Sequence, residues 1–119
     1  MRVLVCGDRH WTNKKAISLA LQALYGLHPE GLHIIDGCAP GADTLAYQVR
    51  MEEGYSGERY PADWARYGRA AGPKRNQRML DEGTPDLVLA FHPNLALSKG
   101  TADMVRRAKA AGIPVEVFS

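Results

Sequence analysis

The sequence predicts an α/β domain with a mostly parallel five-stranded sheet between two helical layers. The prediction rests on three observations. Short apolar runs alternate with longer segments of helical periodicity in the order β-α-β-α-β-α-β-α-β, and that order makes a parallel sheet with helices on both faces. The clearest runs do not alternate apolar with polar residues, as expected of strands covered on both sides. Glycine, proline and aspartate gather just after the strands, where open parallel sheets carry their ligand loops.

The chain reads in order as follows. Arg2 to Cys6 is a buried strand, and Gly7-Asp8-Arg9-His10-Trp11 is a polar loop. Thr12 or Asn13 can cap a helix whose apolar face carries Ala16, Ala20, Ala23, Leu24 and Leu27, widened by Ile17 and Leu21. His28-Pro29-Glu30-Gly31 ends that helix. Leu32 to Ile35 is the second strand, and Asp36 to Asp43 is a tight turn. A helix over Thr44 to Glu53 follows, stopped by Gly54. Gly57 to Tyr60 is a short third strand. Pro61 to Trp64 is a loop or single turn. The helix from Ala70 to about Asp81 has Pro73 suited to its first turn. Asp86 to Phe91 is the clearest buried strand, and His92 to Lys99 is a loop. Gly100-Thr101 enters the last helix, with Met104, Val105, Ala108 and Ala111 facing inward. Ile113 to Phe118 is the final strand, where Pro114 marks an edge or a strand start.

Size and composition narrow the function classes. The 119 residues suffice for one domain, 1–119. Hydrophobic residues make up 45% and charged residues 24%, the balance of a globular protein rather than a disordered one. No apolar run approaches the roughly 18 residues of a membrane span. The opening Met1–Asp8 meets charge too soon for a signal peptide, so a cytoplasmic location is expected. Cys6 and Cys38 suit that compartment as small thiols. No cysteine or histidine spacing points to a metal, and no cofactor is implied. A formal net charge of +2 is too weak by itself to argue for nucleic acid.

Right-handed crossovers bring every loop after a strand to one edge of the sheet. Gly7–Trp11, Asp36–Asp43, Pro61–Trp64 and His92–Thr101 therefore meet. Two readings of the Asp36–Asp43 turn stand. It is a nucleotide-binding turn whose glycines Gly37 and Gly41 let backbone approach a ligand. Or it is an ordinary loop in which Asp43 stabilises the helix dipole. Arg9, Arg66, Arg69, Lys74, Arg75 and Lys99 lie in or beside the loops, with Asp8, Asp36, Asp43 and Asp63. Arginines and helix-start amides bind phosphate oxygens, and carboxylates accept from ribose hydroxyls. Trp11, Trp64, Tyr67 and Phe91 can wall a base. Ser98-Lys99-Gly100-Thr101 is the best single anion candidate, since it follows a strand and opens a helix. No Walker sequence, Gly-x-Gly-x-x-Gly or Gly-x-Ser-x-Gly occurs. His33 reads as structural, whereas His10 and His92 are candidate acid–base groups. Asp36, Asp43 and Asp103 are candidate bases.

The series Asp36-Gly37-x-Ala39-x-Gly41-Ala42-Asp43, Pro61-Ala62-Asp63-Trp64, Gly68, Ala71-Gly72-Pro73-x-Arg75-Asn76-x-x-Met79 and Gly100-Thr101 resembles the SLOG superfamily. Those are the Rossmann-like proteins grouped with DprA and the Lonely Guy phosphoribohydrolases, and the nearest branch is the small YspA/YpsA-related one of bacteria and phages. The resemblance implies a Rossmann-like fold with a nucleotide or nucleotide-derived ligand at the sheet edge, and it implies a homodimer. Lonely Guy enzymes cleave the N-glycosidic bond of nucleoside 5′-monophosphates with a Pro-Gly-Gly-x-Gly-Thr-x-x-Glu loop and an arginine on a preceding helix. Arg75 matches that arginine, and Gly100-Thr101 match the Gly-Thr. Ala96, Leu97 and Ser98 replace the preceding Pro-Gly-Gly. Met104 stands at the glutamate.

These readings give a first expectation of a sensor or sequestering module. In it Arg75, Lys99 and the Gly100–Thr101 amides hold phosphate, Asp36 or Asp43 holds ribose, and Trp64 or Phe91 flanks the base. Gly7, Asp8, Arg9, Gly37, Gly41, Asp63, Asn76 and Ser98 complete the expected site. The alternative is a divergent phosphoribohydrolase using Asp103, Asp43 or Asp36. A further alternative, least favoured because no dense basic tract is present, is single-stranded DNA or a protein partner, as in DprA.

Overall fold

The computed structural model describes all residues from Met1 to Ser119. Five strands, β1 (Arg2–Gly7), β2 (His33–Asp36), β3 (Ser56–Arg59), β4 (Leu87–Phe91) and β5 (Val115–Phe118), form one sheet in the order β3-β2-β1-β4-β5. Every pairing is parallel, so the sheet is wholly rather than mostly parallel. The helices are α1 (Lys14–Leu27), α2 (Ala42–Glu53), the single turn α3 (Trp64–Tyr67), α4 (Ala71–Gly83) and α5 (Gly100–Ala110). No helix is long and apolar enough to cross a membrane.

The missing apolar alternation now has its cause. Along β1 and β4, Val3, Val5, Leu87, Leu89 and Phe91 pack with Ile17 and Leu21 of α1 and Ala46 and Val49 of α2. The intervening Leu4, Cys6, Val88 and Ala90 pack with Met79 and Leu80 of α4 and Met104, Val105 and Ala108 of α5. Each strand thus feeds two cores of opposite parity, and burial drives both helical layers onto the sheet. The chain winds outward from β1 to β3, then returns to lay β4 beside β1. The β1/β4 junction is where strand order reverses, and the loops after these two strands diverge there.

Several boundaries differ from the sequence expectation, each for a local reason. α2 starts at Ala42, two residues before Thr44, because Gly41 takes φ +76 and turns the chain at once into the helix. α4 runs on to Gly83 and stops where Thr84 enters the left-handed region at φ +44. A Cβ on Gly83 would meet Ile35 Cδ1 at 3.2 Å, so the last turn lies close on β2. Ile113 and Pro114 precede β5, with the Pro114 carbonyl accepting from the Val88 amide at 2.9 Å. β5 is an edge strand, which fits a proline at its entrance. The His92–Lys99 loop contains a 3-10 turn over Leu95–Leu97.

Phe91 departs from its expected role as a wall for a base. The last residue of β4, it is fully buried. Its ring stacks on Phe118 at 4.6 Å and meets Trp11 at 5.6 Å. Strand parity sends it toward α1 and α2, into the core. Truncation to alanine leaves a cavity there. Phe91→Ala is expected to destabilise the protein by roughly 3–5 kcal/mol, read as a lower urea midpoint with an unchanged slope.

Candidate functional site

A cleft of about 860 Å³ opens at the C-terminal ends of β1 and β2, between the loops after these strands and the first turns of α4 and α5. Of the residues expected from sequence, it is lined by Gly7, Asp8, Arg9, Gly37, Asp43, Trp64, Arg75, Asn76, Ser98, Lys99, Gly100 and Thr101. The candidate histidines His10 and His92 line it too, and so does Met104. The sequence reading did not single out Pro40, Met79 and Leu97 as ligand residues. Pro40 lay within the flagged turn. Leu97 stands where the sequence departs from the family motif, and Met79 is an apolar helix residue of that motif, so neither carries a ligand signal of its own.

The Asp36–Asp43 turn is held by its own carboxylates. Asp43 Oδ2 accepts from the Gly37 amide at 2.8 Å and the Ala39 amide at 3.5 Å. Asp36 Oδ1 accepts from the Cys38 amide at 2.8 Å, stabilising Cys38 at φ +63. The turn's own amides at Gly37, Cys38 and Ala39 are therefore already occupied. Gly41 is pressed against the loop after β1: a Cβ there would lie 2.2 Å from the Asp8 carbonyl. The Ala42 amide donates to that same carbonyl at 3.2 Å.

Arg75 projects from α4 across this turn. Its Nε donates to Asn76 Oδ1 at 3.1 Å, and its Nη1 donates to the Gly37 carbonyl. A Cβ on Gly37 would sit 2.7 Å from Nη1. Glycine here is thus a condition for the guanidinium to lie flat on the backbone. Arg75 makes no ion pair, and neither do Arg9 and Lys99. Across the cleft, Ser98 Oγ accepts from the amides of Thr101 at 2.9 Å and Ala102 at 3.4 Å, capping α5. The Thr101 amide is consequently taken. The amides without a partner are those of Lys99 and Gly100, the orphan donors of a helix start.

Five expected residues lie elsewhere. Besides Phe91, Asp36 is fully buried, with both carboxylate oxygens 3.1 Å from Arg59 Nε. It serves the turn and the sheet edge rather than a ribose or a water. Asp63 caps α3 by accepting from the Arg66 amide at 3.1 Å. Gly41 faces a smaller neighbouring groove. Asp103 does not line the cleft: Asn76 Nδ2 and Arg107 Nε donate to its Oδ2 at 3.0 and 2.9 Å, and Arg106 reaches Oδ1 at 3.2 Å. Burial pushes the Asp103 carboxyl up, but the Asn76 amide and the two guanidiniums outweigh it, leaving it below the ordinary range. As a base it is both occupied and weak.

Asp43 is the candidate base that remains in the cleft. Burial first, and then the charge of nearby Asp36, raise its pKa to about 7. The Gly37 amide and the Arg75 charge act in the opposite direction. Its Oδ1 receives no donor from the chain. The raised pKa has a linkage consequence. The folded chain holds this proton after the unfolded chain has lost it, so the associated stability is full below about pH 4 and is lost as pH rises through about 7. Asp43→Asn should flatten that part of the loss. The urea midpoint of the variant, relative to the parent, should rise between about pH 5 and about pH 8.

Comparison with known proteins fits this architecture. The profile of the YspA, cpYpsA-related SLOG family matches residues 1–67, the stretch that holds the β1 loop, the Asp36–Asp43 turn and Trp64. The Gene 61 protein of Mycobacterium phage D29 is 38% identical over 122 residues, covering 98% of this chain and 95% of that protein. DNA processing protein A (DprA) from Streptococcus pneumoniae superposes with a TM-score of 0.74 at 19% identity. That alignment covers 98% of this chain and 49% of DprA. The chain therefore spans about half of DprA and shares its fold. By profile and by sequence, the chain belongs to the YspA, cpYpsA-related SLOG family.

Proposed function

We propose that this domain binds a nucleotide or nucleotide-derived ligand in the cleft, as a sensor or sequestering module. The observation that carries the reading is the trio of unpaired cations, Arg9, Arg75 and Lys99, lining one concave site. Surface cations usually find carboxylates or spread into solvent; convergence without a partner suits an anionic ligand. Arg75 and Lys99, with the free Lys99 and Gly100 amides, hold the phosphate. Thr101 and Ser98 add hydroxyls beside it. Asp43 Oδ1 and Asp8 accept from ribose hydroxyls. The exposed indole of Trp64, 59% accessible, and Leu97, 80% accessible, flank the base.

A second reading, a divergent phosphoribohydrolase, draws on Asp43. A carboxyl near pKa 7 within a ligand cleft is what general acid–base chemistry at neutral pH requires. Against it stand Met104, where the Lonely Guy enzymes have glutamate, and Asp103, whose oxygens are taken. In the binding reading Asp43 positions ribose; in the hydrolase reading it transfers a proton to the departing base.

One experiment separates them. The protein is incubated with a panel of nucleoside monophosphates, diphosphates and dinucleotides, filtered, and the filtrate read by mass spectrometry. Depletion of one compound without new products supports the module. Free base with ribose 5-phosphate supports the hydrolase, and Asp43→Asn should then abolish turnover while Asp103→Asn retains it. No depletion and no product would overturn both readings. In either case Arg75→Ala should weaken binding by at least about tenfold, roughly the loss of one charge-assisted contact. Titration calorimetry measures this, and unchanged affinity would sink the site.

A further inference from the structure

A second groove of about 490 Å³ adjoins the cleft on the far side of the loop after β1. Arg9 and His10 line both; Trp11, Thr12, Gly41, Thr44 and Leu45 complete the second. The divide between them is fixed. The Asp8 amide donates to the Phe91 carbonyl at 2.8 Å, and the His10 amide to Asp8 Oδ1 at 3.0 Å. The Trp11 amide donates to the Asp8 carbonyl at 3.1 Å, and Gly41 closes against the same loop. Arg9 therefore stands, exposed and without an ion pair, on a rigid ridge between two concavities.

An unpaired guanidinium in that position suits a bridging phosphodiester. Beyond the ridge the groove mixes hydroxyl and apolar groups, as a sugar and a base require. Thr12 is exposed with its hydroxyl unused. Thr44 Oγ1 donates to the Ala39 carbonyl at 2.7 Å, so its lone pairs are free to accept. Leu45 supplies apolar surface. The first cleft, at about 860 Å³, is already near the top of the roughly 300–1,000 Å³ range of small-ligand sites, and the second groove continues it.

We propose that the ligand crosses this ridge: a 5′-phosphorylated, 3′,5′-linked dinucleotide, its phosphodiester at Arg9 and its second nucleoside in the second groove. The proposal rests on the nucleotide reading of the first cleft. The test is calorimetric titration with the four nucleoside 5′-monophosphates and the four matching homodinucleotides carrying a 5′-phosphate. For the base that binds, the dinucleotide should be at least about tenfold tighter than its monophosphate. Thr12→Glu puts a carboxylate into the second groove at an exposed position. It should erase that gain and leave monophosphate affinity within about twofold. Equal affinity for the two lengths overturns the extension alone, as does a gain that survives Thr12→Glu. Binding of neither length overturns the nucleotide reading and the extension together.

Discussion

The buried carboxyl of Asp43 is the contact on which the cleft depends. It sits in the first turn of α2 and reaches back to the amides of Gly37 and Ala39, just past β2. That one group closes the turn and satisfies donors that burial would otherwise strand. On one side of the turn Gly41 meets Asp8, tying in the loop after β1. On the other, Arg75 rests on Gly37, tying in α4. Three segments distant in sequence are thus held by a carboxyl that itself faces the cleft. The same burial that makes it a structural pin also raises its pKa to about 7.

The opposite wall is built by a second polar link. Asn76 of α4 donates to Asp103 of α5 and to the Gly100 carbonyl, at 3.0 and 3.3 Å, and Arg107 joins Gln77 to Asp103. This network fixes α4 against α5 and so sets the spacing between Arg75 and the helix start at Gly100. It also explains why an acidic residue one position from Met104 is no substitute for a catalytic glutamate. One residue along a helix turns the side chain by about 100°. Asp103 points into the interhelical network, while Met104 lines the cleft. Membership of the SLOG family is thus compatible with a cleft that keeps Arg75 and the Gly100–Thr101 helix start and carries Met104 in its lining.

Sheet topology makes these walls face one another. With β1 central and β4 beside it, the loops after β1, β2 and β4 open to the same edge. Arg9, Arg75 and Lys99 line the cleft without an ion pair, beside Asp8 and Asp43, while Asp36 is paired with Arg59 and Asp103 with Arg106 and Arg107. The local excess of cations is not readable from the overall charge of +2.

What local chemistry dictates is legible along the chain. The β-α alternation implied a parallel sheet, unbroken apolar runs implied strands covered on both faces, and the Gly-Pro-Asp clusters marked the loops that line the cleft. The Arg75 and Gly100–Thr101 motifs marked two of its walls. Tertiary structure decided what depends on partners distant in the chain. Phe91 ends a strand beside the site, yet strand parity turns its ring into the core against Trp11 and Phe118. Asp36, Asp43 and Asp103 look alike in sequence. Arg59 neutralises one, Asn76 with two arginines occupies another, and only Asp43 keeps an oxygen for the cleft. Helical and strand periodicities are properties of neighbouring residues and can be read along the chain. A carboxylate's role is set by which charge folding brings beside it, and only the packed sheet and helices specify that.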